Sequence, residues 1–453
     1  MFAVFLGWLS HRFVRRAGLI ALFASFSSLA VAALFALFTP VDNAIADLRF
    51  NAETRGTTGS IVYVDIDSES LLAVGVWPWP RSVHAAVLDK LMALGADDVI
   101  FDVDFSVASN EANDAAFEKS LQAAGGYAYL AAFQQQKINE RAPTFNLPLG
   151  RFRQYADPVA VNVIMDAGGL VRTYPYAMAI GDQRIPSIAS VFSSVAGPAN
   201  SGFGIDFTID PHRIDRISVA DLLTGQVDAV RVSGKHVVIG ASAVELRDYF
   251  VVPRYGVLPG ALLQALAAET LRQGRALHPV GHWPATIVVL LVGALAIAAR
   301  RRIGVIPALI LAVLISITGE LVALALQLRL GLVADTAAVH IADLGFVFSY
   351  LVAEMAKRGQ DRLRATRERD AVRRILDRVI TDNFDGVVIV NAHRRVVAVS
   401  DAAERMLDRT LDNTAANDTL PPELLPIIDK GLADAPGQGE VTVDINGSVI
   451  LLV

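Results

Sequence analysis

Ile61-Val-Tyr-Val-Asp-Ile66 and Asp98-Val-Ile-Phe-Asp-Val103 decide the fold. Both are short runs of β-branched and aromatic residues, the signature of a buried strand. Between them, after Pro80, the apolar residues Val83, Val87, Leu88, Leu91 and Met92 recur at helical spacing, and Gly95 stands where a helix would end. Strand, helix and strand in this order predict a right-handed βαβ unit with the two strands parallel and side by side. The pattern continues with a helix over 114–124 and a strand over 126–132. A hairpin is expected from 159–165 and 170–178 around Asp166-Ala-Gly-Gly169, since glycines suit a tight antiparallel turn. Ser218-Val-Ala-Asp221 has the spacing of a capping box and predicts a short helix; 234–240 reads as another buried strand. Pro259 opens a helix carrying Leu262, Leu263, Leu266 and Leu271, expected to lead directly into the next apolar stretch. The fold class is therefore an α/β domain with a mixed sheet.

On either side of this domain the composition changes. Of the 453 residues, 53% are hydrophobic, and the excess falls in four stretches: 17–38, 283–299, 303–328 and 332–355. The first is about 22 residues long, enough at 1.5 Å per residue to cross a hydrocarbon core of about 30 Å. Four transmembrane helices are expected. Arg12, Arg15 and Arg16, then Arg300, Arg301 and Arg302, then Lys357 and Arg358 flank these stretches. Four crossings put all three clusters on one side, the cytoplasmic one by the positive-inside rule. The expected layout is a cytoplasmic N-terminus (1–16), a first span, an extracytoplasmic domain (39–282), three closely spaced spans and a cytoplasmic end, in the inner (plasma) membrane. The net charge of −6 and the placement of the basic runs give no reason to expect a nucleic-acid partner. With no cysteine, disulfides, thiol catalysis and flavin–thiol photochemistry are excluded.

The chemistry-bearing residues collect at strand ends. Asp65 and Asp67 close one strand, and Asp102 and Asp104 close the next. Parallel neighbours would bring all four to the carboxyl edge of the sheet, where ligands of open α/β sheets bind. Four carboxylates there could hold Ca²⁺, Mg²⁺ or a cationic ligand. The plainer reading, that they cap helices and bind loop amides, is preferred. Trp77, Trp79 and Arg81 in Trp77-Pro-Trp-Pro-Arg81 could line an aromatic pocket, although packing beside the core is again the preferred reading. Inside the third and fourth spans, Glu320 and His340 fall at equal depth, and a hydrogen bond between neighbouring helices is expected of them. Neither H-E-x-x-H nor G-x-S-x-G occurs, so no catalytic centre is expected in these residues.

Taken in order, Val64-Asp-Ile-Asp67, Trp77-Pro-Trp-Pro-Arg81, Gly95-Ala96 with Phe101-Asp102, Gly169-Leu-Val-Arg172, Gly234-Lys235 with Val238-Ile-Gly240, and Pro259-Gly260 resemble the CHASE family of extracellular sensor domains, type two. The resemblance implies a bacterial sensory receptor without naming its stimulus, whether small molecule or protein. Beyond the last span, 356–378 reads as a charged signalling helix. Val372, Leu376 and Val379 lie at near-heptad spacing, which suggests a homodimeric coiled coil. From 379 onward the strands at 385–391 and 395–400, turning at Ala392-His-Arg394, and the helix at 401–407 resemble the start of an α+β PAS domain. A later helix (423–433) and strands at 440–445 and 448–453 would follow. His393, in the turn, is badly placed to ligate haem. The PAS pattern breaks off before its last strand, so either the sequence is a fragment or a receptor that continues into an output region has been cut; the alternative is the sensory part of a membrane-bound adenylate or diguanylate cyclase, cyclic di-GMP phosphodiesterase or histidine kinase.

Overall fold

The computed structural model describes residues 23–135, 144–180, 183–299, 302–381, 388–391, 393–408, 415–422, 424–426, 428–429, 441–445 and 448–452. The chain divides into two compact units, Met1–Tyr350 and Leu351–Val453.

In the first unit, helices α1 (Phe23–Leu34) and α2 (Thr39–Arg49) precede the α/β domain. Its strands are β1 (Ile61–Ile66), β2 (Asp98–Phe101), β3 (Ala128–Gln135), β4 (Thr144–Asn146), β5 (Asp157–Ala160), β6 (Ile164–Met165), β7 (Val171–Pro175), β8 (Ala177–Ile180), β9 (Gln183–Pro186), β10 (Gly202–Gly204), β11 (Asp215–Ser218), β12 (His236–Ala241), β13 (Tyr249–Val252) and β14 (Gly256–Pro259). Between them lie α3 (Ser68–Val74), α4 (Arg81–Ala93), α5 (Glu111–Ala123), α6 (Ile188–Ser193) and α7 (Val219–Thr224), and after them α8 (Gly260–Arg272). The main sheet runs β11-β1-β12-β2-β3, all parallel, with β5 parallel and β4 antiparallel to β3.

This order corrects the sequence reading at one decisive place. β1 and β2 are not neighbours: β12 returns late in the chain and inserts between them. Its residues Val237, Val238 and Ile239 are buried on both faces, as a central strand requires. The expected 159–165 hairpin strand is corrected too. Val159 and Ala160, both fully buried, join the main sheet through β5, and only β6 and β7 flank the Asp166–Gly169 turn, where Gly169 takes φ +79°.

Period-two alternation divides the core in two. Val62, Val64, Val99, Phe101, Val237 and Ile239 face α4, α5 and α7. Ile61, Tyr63, Ile100 and Val238 face α6 and α8 on the other side. Helix α8 does not lead directly into the apolar bundle. It ends at Arg272, Gly274 turns at φ +63°, and β15 (His278–Pro279) pairs with β16 (Leu332–Val333) before α9 (Trp283–Ala299) begins.

Helices α9, α10 (Val305–Ala325, drawn on to Leu330 by a π-turn) and α11 (Ala337–Thr381) share a small-residue core with α1, including Phe26, Ala30, Val289, Ala296, Ala308, Ala312, Ala342 and Phe346. Ala and Gly let these backbones approach, and Phe26 packs on Gly293 where a Cβ would stand 2.8 Å from its ring. The expectation of four spans needs correction. Among the described residues two helices, Val305–Leu330 and Ala337–Ala371, are long and apolar enough to cross a membrane. The 17 residues of α9 rise only about 26 Å. The first apolar run breaks after Leu34, so that α1 and the helix over Thr39–Ala52 meet at 71°. Residues 17–22, with Arg12, Arg15 and Arg16, and Arg300 and Arg301 lie outside the described residues.

In the second unit, β17 (Val388–Val390) and β18 (Val396–Val399) form an antiparallel hairpin whose turn is held by Asn391 Oδ1, accepting from the amides of His393 and Arg395. Ser400 caps α12 (Asp401–Leu407) through the Ala403 amide. A short α13 (Ala416–Thr419) and a second hairpin, β19 (Val441–Ile445) and β20 (Ser448–Leu452), follow. The two hairpins form separate two-stranded sheets, so a single PAS sheet is not assembled among the described residues. The expected strand start at 385–387, Ala392, Glu423, Ile427, 430–433, Glu440 and Val453 fall outside them.

Candidate functional site

The carboxyl ends of β1, β12 and β2 form the edge that sequence reasoning singled out. Asp65 pairs in register with Gly240, and because Ile239 is opposite Phe101, Asp102 falls on the other side of Gly240. Asp65, Gly240 and Asp102 thus make a row on the face covered by α8, with about 4.8 Å between adjacent strands. A Cβ on Gly240 would come within 2.3 Å of the Ala261 Cβ, so only glycine lets the first turn of α8 lie on this row.

The four aspartates weighed as a possible joint site have different surroundings, and the capping and loop-amide contacts preferred for them are seen at Asp65, Asp67 and Asp104. Asp65, fully buried, accepts from Tyr63 Oη (2.8 Å), the Ser242 amide (3.0 Å) and Ser242 Oγ (2.7 Å), and pairs with Arg216. Asp67 caps α3: its Oδ1 accepts from the amide and hydroxyl of Ser70 (2.8 and 2.7 Å) and from Ser218 Oγ (3.1 Å). Asp104 is exposed and holds its own loop through the Ser106 amide. Insertion of β12 separates the two pairs, and β1 ends at Ile66, so Asp67 belongs to the helix start rather than to the strand.

Asp102 differs. Gln264 Nε2 donates to its Oδ2 at 2.8 Å, and no basic side chain pairs with it among the described residues. Burial pushes its carboxyl well above the usual carboxylate range, and the negative charge of Asp248 pushes it further. Asp248 is raised as well by burial, partly offset by the Gly260 amide. Its carboxylate lies against the first residue of α8, where a Cβ on Gly260 would come within 2.3 Å of Oδ2. Two buried side-chain oxygens near Asp102 lack a partner among the described residues. Gln264 is 2% exposed with Oε1 unpartnered, and Tyr174 is 0% exposed with an unpartnered hydroxyl. The Tyr174 hydroxyl is held far above its normal pKa by burial and then by the Asp102 charge. Sequence reasoning missed Asp248, Gln264 and Tyr174; only the Gly240 and Pro259-Gly260 motifs pointed toward this corner.

Trp77, Trp79 and Arg81 form packing, not an open pocket. The indoles meet edge to face at 5.3 Å, both lie against His84, and Trp79 Nε1 donates to Gly75 O at 3.0 Å. Arg81 pairs with buried Asp114 at 2.8 Å and stacks over Phe105. Burial lowers the guanidinium pKa against the pull of Asp114. Burial also pushes His84, enclosed by Phe101, Phe105 and Phe117, down to about 3, with the Arg81 charge adding to the shift.

At the opposite edge of the sheet, Asp97, Asp98 and His236 cluster closely enough to suggest a metal site. Both ring nitrogens of His236 are engaged, Nδ1 with Asp98 at 2.8 Å and Nε2 with Arg272 at 2.9 Å, so the group reads as a structural pair.

In the helix bundle, His340 Nε2 and Glu320 Oε2 are 3.2 Å apart, in the expected contact. The stronger partner was not foreseen. Arg49, at the end of α2, donates from Nε to Glu320 Oε1 at 2.7 Å, and also to Thr336 Oγ1 and the Ala334 carbonyl. Two residues earlier, Asp47 receives both Nε and Nη2 of Arg172 from the β6–β7 hairpin. Asp42 Oδ1 accepts the amides of Thr336 and Ala337 at the start of α11. One helix therefore carries ion pairs to the α/β domain and to the bundle.

A family model described as the CHASE2 domain matches residues 20–299, more than half of the chain. The chain belongs to the CHASE2 family. No curated protein and no solved structure matches it. The match spans the whole CHASE2 α/β domain together with α1, α2 and α9, so those helices are part of the family unit. CHASE2 domains are extracellular sensors, which makes this a sensory protein and supports a membrane location for the apolar helices.

Proposed function

We propose that the chain is a transmembrane receptor whose CHASE2 domain lies outside the cytoplasm and shifts the helix bundle when it meets its stimulus. The observation that carries this reading is the double attachment of α2, through Asp47 to Arg172 of the domain and through Arg49 to Glu320 of α10. A displacement of the β6–β7 hairpin would reach α10 and α11 through rigid helix and ion pairs, without passing along the covalent connection after α8. The cytoplasmic side is assigned to the ends bearing Arg302 and Lys357-Arg358, by the positive-inside rule, an assignment that requires the short helix α9 to cross the membrane as well as α10 and α11. The segment after α11 is assigned to a PAS-like relay toward an output region, on the resemblance of 388–407 to the opening of that fold.

Topology reporters test the reading. A reporter fused after Thr58 should be active outside the cytoplasm and one fused after Arg369 inside it; both on one side would overturn it. Within the bundle, Glu320→Gln should be tolerated, because it can still accept from Arg49. Glu320→Leu should destabilise the full chain in detergent, since it leaves Arg49 buried without its charge partner.

A further inference from the structure

The chemistry of the α8 corner is unusual for a protein interior. Two desolvated carboxylates, Asp102 and Asp248, face the first turn of one helix with no basic side chain paired to either among the described residues. Charges withdrawn from water are normally paired or bound to a metal. Near Asp102, Gln264 Oε1 and the Tyr174 hydroxyl are buried and without a partner among the described residues, although buried side-chain oxygens nearly always find one. Gln264 is fixed in this corner, because its Nε2 already binds Asp102 and reaches the Val161 carbonyl at 3.3 Å. The unpartnered groups are oxygens, and the two acidic side chains are carboxylates. As whole residues, Asp102 and Asp248 are partly exposed.

We propose that this corner is a divalent-cation site for Ca²⁺ or Mg²⁺, with Asp102 and Asp248 as charged ligands and Gln264 Oε1 and the Tyr174 hydroxyl as neutral ones. Oxygen ligands with two carboxylates suit hard divalent ions. The cation would neutralise both carboxylates and draw the edge of β2 to the start of α8 and the loop before β13. Its membership differs from the four aspartates at the strand ends: Asp65 is satisfied by Arg216, Tyr63 and Ser242, and Asp67 by its helix cap. Binding is independent of the sensory reading, and only the cation's role as a stimulus rests on it.

The test uses the full chain in detergent, stripped with a chelator at neutral pH. Adding Ca²⁺ or Mg²⁺ should raise Tm by a few degrees through mass action. Tb³⁺ should bind in their place and emit on excitation of Tyr174, displaced by Ca²⁺. Asp248→Asn should weaken both responses at least tenfold, and Gln264→Leu, which keeps the helix, should weaken the Tb³⁺ signal if Asp248→Asn fails to fold. Asp67→Asn, Asp104→Asn and Asp97→Asn should leave both responses unchanged. The proposal is overturned if neither ion shifts Tm and no sensitised emission appears. Responses that survive Asp248→Asn, or vanish in Asp97→Asn, overturn it too. So does stabilisation by acid alone with no response to cations, which would make the pair a proton-sharing dyad. Any of these failures leaves the receptor reading standing, since that depends on the topology and α2 results.

Discussion

Two acidic corners on opposite faces of one sheet make different use of the same side chain. On the α4–α5 face, Asp114 is 1% exposed and receives the Arg81 guanidinium, the Ser109 amide and the Ser109 hydroxyl. On the α8 face, Asp102 has one amide donor and a second carboxylate for a neighbour. Both corners adjoin sequence motifs that looked equally suggestive. The paired one is scaffold, and the unpaired one is where a ligand can supply what the fold withholds.

The contrast can be broken by removing the positive charge from the first corner. Arg81→Met should cost about 3–5 kcal/mol in chemical denaturation of the full chain, because Asp114 is left buried and unpaired. A loss below about 1 kcal/mol would mean that Asp114 is better hydrated than its burial implies.

Titration sharpens the same contrast, because the two faces should respond to acid with opposite sign. His84 is held down to about 3 against an ordinary value near 6.5, so its contribution is present above 6.5 and lost as pH falls toward about 3. Replacing it by Phe should remove a loss on the order of a few kcal/mol over that window. The carboxyl of Asp102 is raised, so its contribution is full below about 3.9 and lost as pH rises through the folded value. In chelator at pH 8, Asp102→Asn should therefore be more stable than the parent chain, since the amide carries no charge to be desolvated beside Asp248. A destabilised Asp102→Asn under those conditions would show that the ionised carboxylate is already compensated.

The smallest effect belongs to a residue first grouped with Asp102. Asp67→Ala should cost about 1 kcal/mol, the worth of a helix N-cap, at any cation concentration. A cation-dependent cost would bring Asp67 back into the site.

The sequence by itself determined the α/β class, the buried character of β1, β2 and β12, and the apolar identity of α9, α10 and α11. These follow from local periodicity and composition, which act within a few residues of each position. It also placed Glu320 beside His340, because depth along neighbouring helices can be counted. Only tertiary structure decided that β12 lies between β1 and β2, since strand order depends on long-range burial and not on adjacency in the chain. That insertion took Asp65 away from Asp102. It left room for the first turn of α8 over Gly240, and so brought Asp248 and Gln264, distant in sequence, to the same corner. Arg49 was hidden for the same reason: its partner Glu320 is 271 residues away, and nothing local in either segment marks the pair.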